Sequence, residues 1–269
     1  MSASAEETPK VQGSYLYCIA DGSEVVSLGK MGLDHSEVYT IPYRDICAIV
    51  HDCQPEPYQS GDTETVNAWV MAHQTVIDVA WARWGTVLPV AFDTIIKDEP
   101  EAGSEASIRQ WIEKEYENLK RYLDNVRGKA AYGVQIFWDL RIIAQDIARS
   151  DLTIRKLEEE IKSKPKGLAY MYRQTLEARL RKELEIRAGN DFKQCYTRIR
   201  KQVDDICVHK TKKTAPPTQM LMNLSCLISM DGYARLEEEL GKINEVEGFS
   251  VRLTGPWPPY SFVGGARSS

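Results

Sequence analysis

The sequence predicts an α+β fold in two domains, and three observations carry that reading. At 269 residues the chain is longer than one small core usually needs. Segments with period-two alternation are interleaved with longer segments of period 3.6, so strands and helices alternate. Gly128 closes one such mixed block just before a new strand begins. The expected division is a tail over 1–12, a small N-terminal α+β domain over 13–128, and a C-terminal domain over 129–269. This second domain reads as a modified ferredoxin-like fold with a long α-helical hairpin and a C-terminal strap.

In the first domain, Ser14 to Ala20 has high β propensity and is stopped by Asp21-Gly22. A loop spaced by Gly22, Gly29 and Gly32 follows. It contains no GxGxxG or GxxxxGK[ST] pattern, so it reads as a connection and not a phosphate cradle. Glu37 to Ile41 and Ile46 to His51 are strands joined through a turn at Pro42–Asp45. A helix from Thr63 to Arg83 carries Val66, Trp69, Val70, His73, Val76, Ile77 and Ala80 on one face, and Gly85 ends it. Thr86 to Phe92 is a strand whose internal Pro89 argues for an edge position or a bulge. An acidic loop from Asp98 to Glu105 leads into a helix over Ser104 to Arg127.

The second domain opens on the strand Tyr132 to Trp138. Two long helices over 140–163 and 167–209 meet at Lys164-Pro165-Lys166-Gly167, forming an αα-hairpin with a narrow apolar seam. Gly189-Asn190 is a candidate kink. Pro216-Pro217 ends the hairpin, Met220 to Ser229 is a strand, Asp231 is positioned to cap a helix over 232–245, and Phe249 to Thr254 is the last strand. Beyond it lies Gly255 to Val263, with three prolines among Trp257, Tyr260 and Phe262. Proline fixes φ and removes a donor, so this stretch is a stiff ribbon that must cover a hydrophobic face or meet a partner.

Charge and cysteine usage narrow the function classes. Net charge is −5, yet residues 155–213 hold 17 Lys and Arg against 9 Asp and Glu, a local +8. The acidic residues interspersed there, and the absence of a nucleic-acid-binding signature, argue against a nucleic-acid partner. The opening MSASAEETPK lacks an apolar h-region, and no apolar run approaches the roughly 20 residues of a membrane span. The six cysteines form no CxxC and no zinc-ligand spacing, so reduced core cysteines and no metal are expected. Four histidines make no HExxH, no serine sits in a GxSxG elbow, and Glu158–Glu160 and Glu237–Glu239 splay around their helices. No catalytic residue and no cofactor are therefore assigned.

Taken together, Tyr15-Leu16-Tyr17, Ile46-Cys47-Ala48-Ile49-Val50, the helix bearing His73, Gly85-Thr86-Val87-Leu88-Pro89-Val90-Ala91-Phe92-Asp93-Thr94 and Thr254 to Val263 resemble the gas vesicle accessory protein family F/L. Ala91-Phe92-Asp93-Thr94 departs from the RFGT-like turn that the resemblance leads one to expect. The resemblance implies a cytoplasmic, vesicle-associated protein without catalytic residues. It also implies as partners the major gas vesicle shell protein and other gas vesicle accessory proteins. The contact residues expected on this basis are Pro89 at a sheet edge, Trp257, Tyr260 and Phe262 on the strap, and Arg179, Arg181 and Lys182 on the basic hairpin. The competing class is an enzyme or small-ligand binder. A deep pocket around His51, His73 and nearby carboxylates would favour it.

Overall fold

The computed structural model describes residues 12–98 and 103–263. The expected tail, apart from Gln12, and the centre of the acidic loop lie outside the described residues. Contacts divide the chain into two compact units. One comprises the chain up to Ala130 together with Trp257 onward, and the other spans Ala131–Pro256. The strap, grouped by sequence with the C-terminal segment, thus returns to the first unit.

The first unit contains β1 (Gly13–Ala20), β2 (Ser27–Gly29), β3 (Val38–Tyr43), β4 (Ile46–Cys53), α1 (Thr63–Trp84), β5 (Val87–Pro89), β6 (Ile95–Lys97) and α2 (Gly103–Val126). Sheet order is β2-β3-β4-β1-β5, with β6 also paired to β1. Every residue of β1 is buried, which explains its unbroken apolar run. It lies antiparallel to β4 on one side, while β5 and β6 pair with its other side in succession. Thr86 to Phe92 is therefore not one long strand. Pro89 cannot donate to a ladder, β5 ends there, and Asp93 turns the chain at φ 68°. At three residues each, β2 and β6 are too short to show a period.

Local chemistry fixes the remaining boundaries. The hairpin between β3 and β4 is tight: Tyr43 pairs with Ile46, and Arg44 adopts φ 53°. Asp62 caps α1 by accepting the backbone N–H groups of Glu64 and Thr65, and Gly85 closes it at φ 71°.

The second unit is built from β7 (Lys129–Asp139), α3 (Leu140–Ser150), α4 (Leu152–Ser163), α5 (Lys166–Arg200), β8 (Asp205–Val208), β9 (Thr218–Ser229), α6 (Tyr233–Asn244) and β10 (Phe249–Trp257). Its sheet runs β10-β7-β9-β8. Three expectations are corrected here. The helix expected over 140–163 breaks at Asp151, whose extended backbone ends α3 and whose carboxylate accepts the N–H groups of Thr153 and Ile154 to start α4. The second helix stops at Arg200 and not at 209. Residues Asp205–Val208 pair antiparallel with Leu224–Leu227, so the apolar spacing of Val203 and Ile206 belongs to a turn and a strand. Asp231 caps nothing: it sits in a short 3-10 turn, and α6 begins after Gly232 without a side-chain cap. Through Gly189-Asn190, α5 is continuous.

Each unit has its own core. Tyr15, Tyr17, Leu33, Val38, Ile49, Val76, Ile77 and Val87 belong to the first. Val134, Ile136, Trp138, Ile143, Ile199, Met222, Leu236 and Ile243 belong to the second. Among the described residues, no helix is long and apolar enough to cross a membrane.

Candidate partner-binding surface

The strap is attached to the first unit by its prolines and by one hydroxyl. Pro258 and Pro259 are buried, whereas Trp257 is 49% exposed and Tyr260 37%. Proline suits this inward position because it has no N–H to leave unsatisfied when buried. A short 3-10 turn, Tyr260–Phe262, follows, and the Tyr260 N–H donates to the Pro258 carbonyl at 2.8 Å. The Tyr260 hydroxyl donates to Gln74 Oε1 of α1, also at 2.8 Å. Burial, and next the Asp78 carboxylate, raise its pKa, so it remains a donor. The aromatic rings of the strap thus stay partly outside while its backbone is clasped. Val70 lies one helical turn from Gln74 and is also exposed, at 46%. It was expected on the inward face of α1.

Beneath this surface lies a buried polar cluster. Tyr17 accepts the Leu33 N–H at 3.0 Å and lies 2.8 Å from His51 Nδ1. His51 Nε2 in turn lies 3.0 Å from the Tyr58 hydroxyl. Tyr15 accepts the Asp93 N–H at 3.0 Å and sits 2.9 Å from His73 Nδ1. A tyrosine has one proton, so the arrangement that satisfies both hydroxyls and both Nδ1 atoms has each hydroxyl donating to a neutral imidazole, while His73 Nε2 stays buried without a hydrogen bond among the described residues. Burial holds His51 down to about 4, against the partial counter-effect of Asp52 and Asp34, and also lowers His73. Burial raises both tyrosine hydroxyls far above their usual range.

These groups bond one another and the backbone. His51 is fully buried and His73 nearly so. The nearby carboxylates serve the backbone and an indole: Asp93 accepts the Tyr58 N–H, and Asp34 accepts the Trp69 Nε1–H. Asp93 also occupies the place where a glycine was expected, and aspartate tolerates its left-handed backbone. Among the described residues, no group of His, Cys, Asp and Glu is arranged to hold a metal ion.

The sequence-derived contact residues separate into three groups. Trp257 and Tyr260 are exposed together on the strap, with Phe262 half-buried beside them. Pro89 is buried in β5 opposite Cys18, so its side chain is not available as a contact. Arg179, expected as a partner contact on the hairpin, pairs with Asp151 at 3.1 Å and Glu183 at 2.9 Å, tying α5 to the α3–α4 junction. Arg181 and Lys182 are exposed on α5. Val70, Gln74, Pro258 and Pro259 were missed. The available signal was an excess of apolar residues on α1, more than one inward stripe can bury.

Known proteins resemble this chain along nearly its whole length. Gas vesicle protein L1 of Halobacterium salinarum is 30% identical, with 96% of this chain and 92% of that protein aligned. Gas vesicle protein L of Haloferax mediterranei is 26% identical over 96% of this chain and 89% of its own. The crystal structure of the gas vesicle protein GvpF from Anabaena shares the fold at a TM-score of 0.74 and 19% identity, covering 94% of this chain and 98% of that one. Residues 13–264 match the family described as gas vesicle synthesis protein GvpL/GvpF. This chain belongs to the GvpL/GvpF family of gas vesicle proteins.

Proposed function

We propose that this protein is a non-catalytic accessory factor of gas vesicle formation that binds the hydrophobic major shell protein, alongside other accessory proteins, during nucleation and assembly. Family membership supports the gas vesicle role. The observation that carries the binding role is the clasped strap. Pro258 and Pro259 are buried, yet Trp257 and Tyr260 stay exposed, with Tyr260 bonded to Gln74 one helical turn from exposed Val70 of α1. Aromatic side chains on a fixed backbone lose little entropy on binding, which suits them to hold an apolar partner. A subunit of a gas-tight wall exposes apolar surface before it assembles and needs such shelter.

The second unit we read as a modified ferredoxin-like domain. Its strand order β10-β7-β9-β8 supports this, with the first crossover expanded into α3, α4 and α5. On this reading the domain boundary falls near residue 129, and the strap fastens back onto the N-terminal domain. The place of work is the cytoplasm and the vesicle surface.

Co-expression with the major shell protein tests the proposal. The expected result is more soluble shell protein, recovered as a complex with this chain. Equal solubility with and without the chain, and no complex, would refute it. Washed vesicles that retain the chain in fixed proportion to shell protein would make it a wall component as well.

A further inference from the structure

Two exposed surfaces of this chain, one in each unit, complement each other in charge and apolarity. Where α4 turns into α5, the chain carries Lys162, Lys164, Lys166 and Arg173, with no acidic residue from 161 to 176. Among these cations Leu168, Tyr170 and Met171 are exposed, Tyr170 at 61% and Met171 at 63%. The unit's fold makes little use of these side chains, since Ala169, Leu176 and Leu180 are the residues α5 turns inward here. The tip is therefore an unpartnered apolar knob ringed by positive charge.

In the first unit, the outward stripe of α1 has the opposite character. Helical spacing aligns Ala68, Met71 and Val79 with Glu64 and Asp78, all exposed. Met71 is 65% exposed. Helix α1 carries two carboxylates, Glu64 and Asp78, and one cation, Arg83, which is paired with Glu24 at 2.9 Å. Exposed Met71 and Val79 flanked by Glu64 and Asp78 complement an exposed Tyr-Met knob flanked by cations. Ala68 and Val79 lie farther around α1 from Gln74, while Asp78 adjoins it and accepts a hydrogen bond from its side chain at 2.8 Å.

We infer that the occupant of the hairpin tip is a second copy of this chain, the tip of one copy docking on the α1 stripe of the next. An anionic lipid surface would match the cations of the tip, but it would leave the acidic, apolar α1 stripe without a partner. The two surfaces are different, so the contact is head-to-tail and each copy keeps one free tip and one free stripe. Such heterologous contacts build rings or open filaments and do not stop at a dimer. The inference does not depend on shell-protein binding, and its test uses this chain alone.

The test is sedimentation velocity of the full chain across a concentration series at low and high salt. Wild type should associate at low salt and weaken at least about tenfold at high salt, because complementary surface charges are screened. A tip variant (Tyr170→Glu, Met171→Glu) and a stripe variant (Met71→Lys, Val79→Lys) should each sediment as monomers and melt like wild type. Each retains one intact surface, so mixing them should give a one-to-one dimer and nothing larger. Reversing Lys164 and Lys166 to Glu, outside the packed seam, is a second tip variant should the first fail to fold. A monomeric wild type at every concentration would overturn the inference, as would variants that associate normally or a mixture that stays monomeric. Tip-dependent pelleting with phosphatidylglycerol vesicles, without self-association, would overturn it in favour of a lipid partner.

Discussion

The two units solve the problem of a small core in different ways. The first places two tyrosines and two histidines in its centre, pairs them with one another and ties them to Leu33, Asp93 and Tyr58, with His73 Nε2 left unbonded among the described residues. The second is filled by aliphatic side chains around Trp138, and its histidine, His209, bonds Ser225 near the surface. A hydrogen-bonded core fixes one arrangement because every misplacement strands a buried polar group. A purely apolar core is specified by shape and volume. The first design also makes stability depend on protonation, since its imidazoles are held neutral. The strap that carries the candidate contact surface is clasped to the hydrogen-bonded unit.

The sharpest way to separate the two cores is to cut each in its own currency. Ile199→Ala, at a fully buried site in the second core, should cost about 2–5 kcal/mol through lost contacts and a cavity. Tyr17→Phe in the first removes no carbon. It leaves the Leu33 N–H and His51 Nδ1 unpartnered, at about 1–3 kcal/mol. Chemical denaturation of both variants measures the contrast.

Acid should distinguish the units next. His51 has a folded pKa of about 4 against an ordinary 6.5, so the unfolded chain takes up its proton first. Its contribution is fully present above about 6.5 and is lost as pH falls towards about 4, at up to about 3 kcal/mol. The lowered His73 adds in the same direction. Hydrogen exchange should show faster opening in β1, β4 and α1 over this window, with a smaller change in β7 and β9. A uniform response across both units would break the comparison.

The smallest effects belong to the hairpin. Arg179→Glu removes two ion pairs and sets a negative charge against Asp151, costing about 1–2 kcal/mol. Reversing Arg181 and Lys182 together should stay within about 0.5 kcal/mol, because both are exposed. Thermal melts of the two variants check this order.

Legibility in the sequence followed the length of each element. The runs of β1 and β4, both helices of the first unit, and β7, β9 and α6 were readable because they are long enough to show a period. What escaped detection was short or governed by tertiary contacts. Three-residue β2 and β6 have no period, and β8 borrowed apolar residues that continued the spacing of α5. Asp151 was hidden because an N-cap in mid-pattern looks like any exposed acid. For the surface, the aromatic strap was visible as a motif, but its inward residues were not. Burial of Pro258 and Pro259 with exposure of Trp257 inverts what side-chain hydropathy suggests. The tie from Arg179 to Asp151 was hidden because the two lie 28 positions apart in sequence.

Recovery of soluble major shell protein with surface variants of this chain tests the account most directly. Wild type and the Arg181→Glu, Lys182→Glu variant should bring equal amounts of shell protein into solution. The Val70→Glu, Trp257→Glu variant, folded by its melting curve, should bring down little or none. Undiminished recovery with that variant would contradict the assignment of the contact surface to the strap and α1.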